Sequence, residues 1–453
     1  MKKVMKKLKS ILISRTLNSI NRVFLFSILI IIAFPVTSFG WLEIDINSPS
    51  ERRYKIAIPD FKNLSAGNES PELSERLTKV ISDDLDISGY FLPMDKNAFL
   101  DEDGTGITSD NINFRNWTLI GTEILIKGSY TCIGRNLELN VRVYDPLLGK
   151  QVLGKRFYGK TDEYRQLMHR VGDEIIFKIL GIKGIFSSKF LFVNTSTGNK
   201  EIYICDFDGY NIKKLTSDKS IDLFPRWSPR GDGFAYTSFR EGSMKLYYMD
   251  FASGSINRIS GSQEGISASW THDGKSLDIV MRDLGNADIY NVNPDGKIIK
   301  KMTRHWGDDI SPSRSPDGKK IVFASDRAGT PQIYVKDLIT ESEERLTFDF
   351  KECASPVWSA MNKIAFVAIS EGIHDIYTMD PNGSGLKRLT EGNGNNEEPC
   401  WSPGGRYIVF SSSRSGGYHL YIMNANGYNQ RRITYFKGEE TAPSWSPLEP
   451  EVD

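Results

Sequence analysis

Glu398-Pro399-Cys400-Trp401-Ser402-Pro403-Gly404 is one of six occurrences of a single phrase. The others are Phe224-Pro225-Arg226-Trp227-Ser228-Pro229, Ser267 to Gly274 around Trp270, Ser311 to Gly318 around Arg314, Ser355-Pro356-Val357-Trp358-Ser359 and Ala442-Pro443-Ser444-Trp445-Ser446-Pro447. The Trp (or Arg314) positions are spaced 43, 44, 44, 43 and 44 residues apart. A period of about 40–45 residues, with short strands between turn signals, is the mark of a β-propeller with four strands to a blade.

The unit from Pro399 to Thr434 shows why. Pro399-Cys400-Trp401 reads as a short strand, and Ser402-Pro403-Gly404-Gly405 as a tight turn, since Pro presets φ and Gly accepts positive φ. The β-branched and aromatic run Tyr407 to Ser411 is a second strand, Leu420 to Met423 a third and Arg431 to Thr434 a fourth. The second-strand run recurs near Phe190, Phe234, Leu277, Ile321, Ile364 and Ile408; the third strand carries Tyr203, Tyr247, Tyr290, Tyr334, Tyr377 and Tyr421. The count is out of phase at its ends. The unit at Phe190 lacks a first strand, and the phrase at Ala442 has nothing after it. The two fragments complete one blade, so the C-terminal strand is expected to pair with the strand at Phe190 and close the ring, removing its open edges.

Blades are numbered below by this phrase, from Trp227 in blade one to Trp445 in blade six. Strand alternation puts the first-to-second and third-to-fourth turns on one face. The preceding domain enters at a second strand, so it should dock there. The opposite mouth is left free, rimmed by 217–224, 260–267, 304–311, 348–355, 391–398 and 435–442.

The chain has 453 residues, enough for two folded domains. Its formal charge is zero, unevenly spread: residues 1–40 hold seven of the 57 basic residues and no acid, leaving 50 basic against 57 acidic in the remainder. That balance gives no support to nucleic-acid binding. Met1–Arg22 is a positive n-region, Val23–Phe34 an apolar run too short for a comfortable span, and Ser38-Phe39-Gly40 a small-residue cleavage site. A signal peptide over 1–40, cleaved after Gly40, is expected, with an uncleaved signal anchor as the alternative. No Cys follows to carry a lipid, and no stable membrane span remains after cleavage. The cysteines are Cys132, Cys205, Cys353 and Cys400. Their spacing suggests no metal site. Cys205 and Cys400 read as small buried strand residues, and pairing stays open.

Trp41-Leu42-Glu43-Ile44-Asp45-Ile46-Asn47 alternates strictly before Ser48-Pro49 breaks it. Pattern leaves two readings, an ordinary first strand or a mobile arm that adds to a sheet edge. An α/β domain over 51–182 follows, in the order β-α-β-β-β-β-α. Its first helix should start with Ser70 as N-cap and Pro71 at the first position, bury Leu73, Leu77, Val80, Ile81 and Leu85, and stop at Ser88-Gly89. Its second, Thr161–Leu180, should bury Tyr164, Leu167, Met168, Val171, Ile175 and Ile179 and end at Gly181. Asp101–Gly106 resembles the start of a calcium loop, but Ile112 stands where Glu is needed. The expected fold is therefore an α/β N-terminal domain followed by an all-β six-bladed propeller (183–453) closed by its C-terminal strand.

No Gly-x-Ser-x-Gly elbow is present, and His169, His272, His305, His374 and His419 form no metal-type pair. His272 reads as solvated. Asp250, Asp317, Asp337 and Asp380 recur at blade turns, where side-chain-to-backbone bonding explains them. No enzyme activity and no cofactor are expected.

The basic n-region, the α/β domain, the junction Gly181-Ile182-Lys183-Gly184-Ile185-Phe186, the stretch Asp206-Phe207-Asp208-Gly209-Tyr210-Asn211, the six blades and the terminal Ala442 to Leu448 together resemble the TolB family, over essentially the whole chain. That is a family of periplasmic proteins in the Tol–Pal envelope system. The resemblance implies a non-enzymatic adaptor whose propeller mouth receives the lipoprotein Pal. It implies a mature N-terminal arm, here 41–50, that engages TolA through Trp41, Leu42, Glu43, Ile44, Asp45, Ile46 and Asn47. It also implies a role in outer-membrane integrity and constriction at division, with further outer-membrane or peptidoglycan-associated partners. Blade three carries Arg314 for Trp, blade four Ala360-Met361-Asn362 for Pro-Asp-Gly, and the loop before Trp270 lacks an expected His. Candidate mouth residues are Glu264, Trp306, Asp308, Ile310, Phe350, Lys351, Asn396 and Glu397. The competing readings are a carbohydrate- or peptidoglycan-binding propeller, using Trp306, Phe350 and Tyr435, and a periplasmic hydrolase, for which no triad is in sight.

Overall fold

Continuous β-branched and aromatic runs, buried on both faces as in Tyr407–Ser412, form the middle strands of the repeat. A computed structural model describes residues 52–100, 106–259, 264–283 and 285–448; the expected signal peptide, the arm and the segment 101–105 lie outside them. Six four-stranded antiparallel sheets form the blades. In blade six the final strand Glu440–Trp445 pairs antiparallel with Lys189–Asn194, with Trp445 opposite Phe190 and Glu440 opposite Asn194. The closure is packed as well as hydrogen-bonded. The Trp445 ring meets Phe190 edge-on at 4.8 Å, and its Nε1 donates to Ser188 Oγ at 2.7 Å.

Apolar clusters lie between blades rather than within them. Val322, Ile333 and Val335 of blade three pack with Trp358, Ile364 and Phe366 of blade four, and Val280 and Ile289 of blade two with Ile321 and Phe323 of blade three. A closed ring of such seams leaves no blade with an unburied face. The fourth strands are only two to four residues long, too short to hold by ladder bonds alone. A repeated threonine ties five of them down: Thr216, Thr303, Thr347, Thr390 and Thr434 accept the backbone N–H of Ile202, Ile289, Ile333, Ile376 and Leu420.

The inner strands are longer than the short strand read from sequence. Blade five's runs from Asn396 to Trp401, three residues further upstream than Pro399. Each inner strand carries a register shift, as between Glu397 and Cys400. In five blades the residue before Pro is left-handed: Phe224, Ser311, Ser355, Glu398 and Ala442 have φ of 49–54°. Such a bulge bends the strand locally and re-aims its side chains. Pro is tolerated there because the inner strand pairs on one side only.

The departures from the repeat have local compensations. Arg314 lies where other blades place Trp and forms a bidentate pair with buried Asp278 of blade two (2.6 and 2.8 Å). Asn362 takes the glycine position of its turn with φ 57°, and its Oδ1 accepts Trp358 Nε1 at 2.9 Å. Asp250, Asp317 and Asp337 accept backbone N–H groups as expected. Asp380 instead accepts Lys363 Nζ and Ser384 Oγ.

The α/β domain comprises β1 (Tyr54–Ala57), β2 (Lys62–Asn63), α1 (Leu73–Ile87), β3 (Phe91–Pro93), α2 (Phe114–Leu119), β4 (Ile124–Ile133), β5 (Asn136–Asp145), β6 (Lys150–Lys160) and α3 (Tyr164–Leu180). Its sheet order is β3-β1-β4-β5-β6, with β2 beside β4. Two elements were not legible in the sequence: β2 is two residues long and α2 under two turns. The expected Ser70 cap is also corrected. Ser70 has φ 53°, and α1 begins after a turn in which Leu73 N–H bonds the Ser70 carbonyl. The apolar stripe of α1 is buried as expected. On α3, Leu167, Met168, Val171 and Ile175 are buried, Tyr164 and Ile179 only partly, and Gly181 ends the helix at φ 68°.

Candidate partner-binding mouth and channel

The α/β domain occupies the face carrying the first-to-second and third-to-fourth turns, and it does so through charge. α1 ends against blade five. Its last carbonyl, Ile87 O, accepts Asn429 Nδ2 at 3.0 Å, Ser88 O accepts the buried Tyr407 hydroxyl at 2.9 Å, and Asp86 Oδ2 pairs with Arg431 at 2.5 Å. The propeller thus supplies the donors that a helix C-terminus lacks, with a cation beside the negative end of its dipole. Burial opposes ionisation of Asp86, but Arg431 and Arg53 outweigh it and hold the carboxyl below its usual range.

The second clasp is deeper. His169 of α3 is 1 % exposed. Its Nδ1 lies 2.8 Å from Asp84 Oδ2 of α1, and its Nε2 3.2 Å from Asp208 Oδ2 in blade six. Arg165, one turn earlier, also pairs with Asp208 and lies over the Tyr210 ring at 3.6 Å. Burial works against a charged imidazole, but the two carboxylates prevail and raise it to about 10. Burial likewise works against Asp208, yet His169 and Arg165 draw it down to about 2. Asp84 is left as the weaker acid; burial lifts it to about 6, with His169 as a partial offset. His169 therefore stands as an imidazolium joining two helices to the propeller. Position 169 lies outside the apolar stripe read from the sequence, and no sequence signal pointed to its partners.

The opposite mouth differs residue by residue from expectation. Trp306 is 71 % exposed beside His305. Lys351 is exposed, while its carbonyl holds Thr330 Oγ1 at 2.7 Å. Glu264 is half-buried and opens its strand opposite Arg282. Asp308 bridges blades, accepting Ala287 N–H at 2.7 Å and Arg282 at 3.1 Å. Glu397 accepts the Tyr418 hydroxyl at 2.8 Å and meets His374 Nδ1 at 2.6 Å. Three residues turn inward. Ile310 packs into two inter-blade seams. Phe350 lies edge-on to Tyr377 at 4.9 Å. Asn396 is fully buried; its Oδ1 takes Ser412 Oγ and Arg414 Nη2, and its Nδ2 donates to Asp375. Its side chain belongs to the framework and not to the opening. Among the described residues, the exposed large apolar residues of the rim loops are instead Ile221, Trp306, Phe348, Tyr435 and, least exposed of them, Phe436, with Tyr435 76 % exposed. Phe348 was passed over for Phe350. Alternation could not separate them, because they are two residues apart; Phe350 is buried by Phe366 and Tyr377 of the following strands.

Inside the ring, the inner strands enclose a cavity of ≈ 330 Å³. Arg226 of blade one and Glu398 of blade five supply its charge, among serines, prolines and apolar side chains. Glu398 Oε2 accepts Ser411 Oγ at 3.0 Å and the backbone N–H of Ala442; burial pushes its carboxyl up. The four cysteines are free. His272 is exposed at its turn, and its Nε2 approaches Ser315 O at 3.1 Å. Among the described residues no helix is long and apolar enough to cross a membrane.

Comparison with known proteins agrees with this architecture. Residues 177–449 match the TolB beta propeller domain and residues 42–152 the TolB amino-terminal domain. The chain is 35 % identical over 280 residues to the Tol-Pal system protein TolB of Desulfosudis oleivorans, covering 61 % of this chain and 64 % of that one. It is 36 % identical over 310 residues to the protein TolB homolog of Chlorobium luteolum, covering 68 % and 70 %. The aligned part is thus about two thirds of each relative. The crystal structure of TolB from Acinetobacter baumannii superposes with a TM-score of 0.77 at 28 % identity, covering 89 % of this chain and 99 % of that one. With a family match over more than half its length and the same two-domain fold, the chain belongs to the TolB family.

Proposed function

We propose that this protein is a non-enzymatic periplasmic adaptor of the Tol–Pal system, which binds Pal at the propeller mouth and supports outer-membrane integrity and constriction during division. The observation that carries the reading is the asymmetry of the ring. One face is consumed by the α/β domain, and the other presents Trp306, Phe348, Tyr435 and Ile221 to solvent. Exposed aromatics amid polar loops are what a protein partner buries. In this reading residues 1–40 are a signal peptide, 51–182 the α/β domain and 183–453 the propeller. Residues 41–50 are the arm that engages TolA, with Trp41–Asn47 as its contact segment. Of the candidate mouth residues, Trp306, Lys351, Glu264, Asp308 and Glu397 remain, joined by Phe348 and Tyr435.

The test is the affinity of purified Pal for the mature protein and for a Trp306→Ala/Phe348→Ala variant. Loss of binding with unchanged thermal stability supports the reading; undiminished binding excludes this rim. Deleting Trp41–Asn47 should abolish TolA binding and leave Pal binding intact or stronger. Weaker Pal binding would make the segment a structural strand. The carbohydrate reading predicts that peptidoglycan fragments, and not Pal, lose affinity when Trp306 and Tyr435 are removed.

A further inference from the structure

The channel carries two charges that its scaffold does not require. At the position of Arg226, one before the signature Trp, the other blades have Ser269, Ser313, Val357, Cys400 and Ser444; at the position of Glu398, three before it, they have Phe224, Ser267, Ser311, Ser355 and Ala442. Four blades therefore form the same left-handed bulge without an acid, and five form the same inner strand without a base. The two residues flank the closing strand Glu440–Trp445 from either side, on blades five and one, and line one cavity.

Neither is fully satisfied by the protein. Arg226 Nη1 donates to Pro225 O at 3.1 Å, and among the described residues the guanidinium forms no ion pair. Both hydrogen bonds to Glu398 end on Oε2, leaving Oε1 without a donor from the described residues. The rest of the lining is uncharged: serine hydroxyls alternate with Ile266, Ile310 and Val357. A site with one guanidinium and one carboxylate leaves uncompensated charge against any singly charged ligand. It leaves none against a neutral molecule carrying both signs.

We propose that the channel binds a small aliphatic α-amino acid, its carboxylate held by Arg226, its ammonium by Glu398 Oε1 and its side chain against Ile266, Ile310 and Val357. The serines at the wall would take the remaining carboxylate lone pairs. The site uses the inward residues of the rim segments and none of the exposed Ile221, Trp306, Phe348 and Tyr435.

Trp358 and Trp401 line the same cavity, so their fluorescence reports occupancy. The full chain is titrated with L-alanine and L-valine, followed by fluorescence and calorimetry, with acetate and ethylammonium as single-charge controls. Saturable binding of the amino acids is expected, at least tenfold tighter than either control. Arg226→Gln and Glu398→Gln should each weaken it at least tenfold, while Trp306→Ala leaves it unchanged. Ser269→Leu, which fills the channel and keeps both charges, should abolish it. That variant decides the matter should either Gln variant fail to fold, as judged by thermal unfolding. Absence of a saturable response at millimolar amino acid, acetate binding as tightly as alanine, or indifference to all three channel variants would each overturn the proposal.

Discussion

The two faces of the propeller differ in which of their charges are left open to water. On the docked face, His169 is buried between Asp84 and Asp208, and Asp86, partly exposed, is neutralised between Arg53 and Arg431. On the mouth face, buried pairs such as Arg327–Asp309 underlie the rim, while Arg282–Asp308 above them is open to water, with side chains 43 % and 33 % exposed, and exposed apolar side chains stand nearby. A buried imidazolium cannot lose its partners without stranding a charge, so the docked face holds a permanent contact. An exposed pair contributes at most about 1 kcal/mol and can be rearranged, which suits a surface that meets a partner and releases it.

The largest effect should come from breaking what both faces share. Deleting residues 440–453 removes the inner strand of blade six, including the Trp445–Phe190 contact. It should abolish cooperative unfolding of the propeller, read by calorimetry or near-ultraviolet circular dichroism; a retained sharp transition would show that the ring holds without its closing strand.

Next is the buried clasp. His169→Gln leaves Asp84 without a counter-charge and should cost about 3–5 kcal/mol. The sign with pH follows from the raised value. A histidine whose folded pKa is about 10, above an ordinary ~6.5, contributes stability fully present below ~6.5 and lost as pH rises through about 10. The gap between wild type and variant should therefore narrow over that interval in thermal melts. Asp208, held at about 2, works at the other end, its contribution present above ~3.9 and lost as pH falls through about 2.

Arg314→Ala strands Asp278, a fully buried carboxylate, and should destabilise by about 3 kcal/mol or more. Arg314→Trp, which restores the repeat, should not recover this loss while Asp278 remains. Arg314→Trp with Asp278→Leu should recover most of it, and denaturant titration of the three variants separates the outcomes.

The mouth comes last, because its substitutions should leave the fold untouched. Trp306→Ala with Phe348→Ala should weaken Pal binding tenfold or more, about 1.4 kcal/mol, with stability changed by less than ~0.5 kcal/mol. Reversing Glu264 and Asp308 should slow association and change its salt dependence more than it changes dissociation. An unaltered association rate would remove those carboxylates from the interface.

The period of the Trp phrase, the out-of-phase ends and the up-and-down order of strands within each blade were enough to obtain six blades, their closure at Phe190 and the face on which the α/β domain docks. These are one-dimensional properties: a strand's face follows from a period of two, and a closed ring from counting strands. The stripes on α1 and α3 were legible for the same reason. Whether a rim residue points out or in was not, because Phe348 and Phe350 share a face and differ only in where the strand begins, and Asn396 is buried by Asp375 and Ser412 from two other strands and by Arg414 from a turn. His169 finds Asp84 and Asp208 at separations of 85 and 39 residues, and Arg226 and Glu398 share a cavity 172 residues apart. No pattern along a chain encodes such meetings, since they depend on closing the ring and seating one domain on its face.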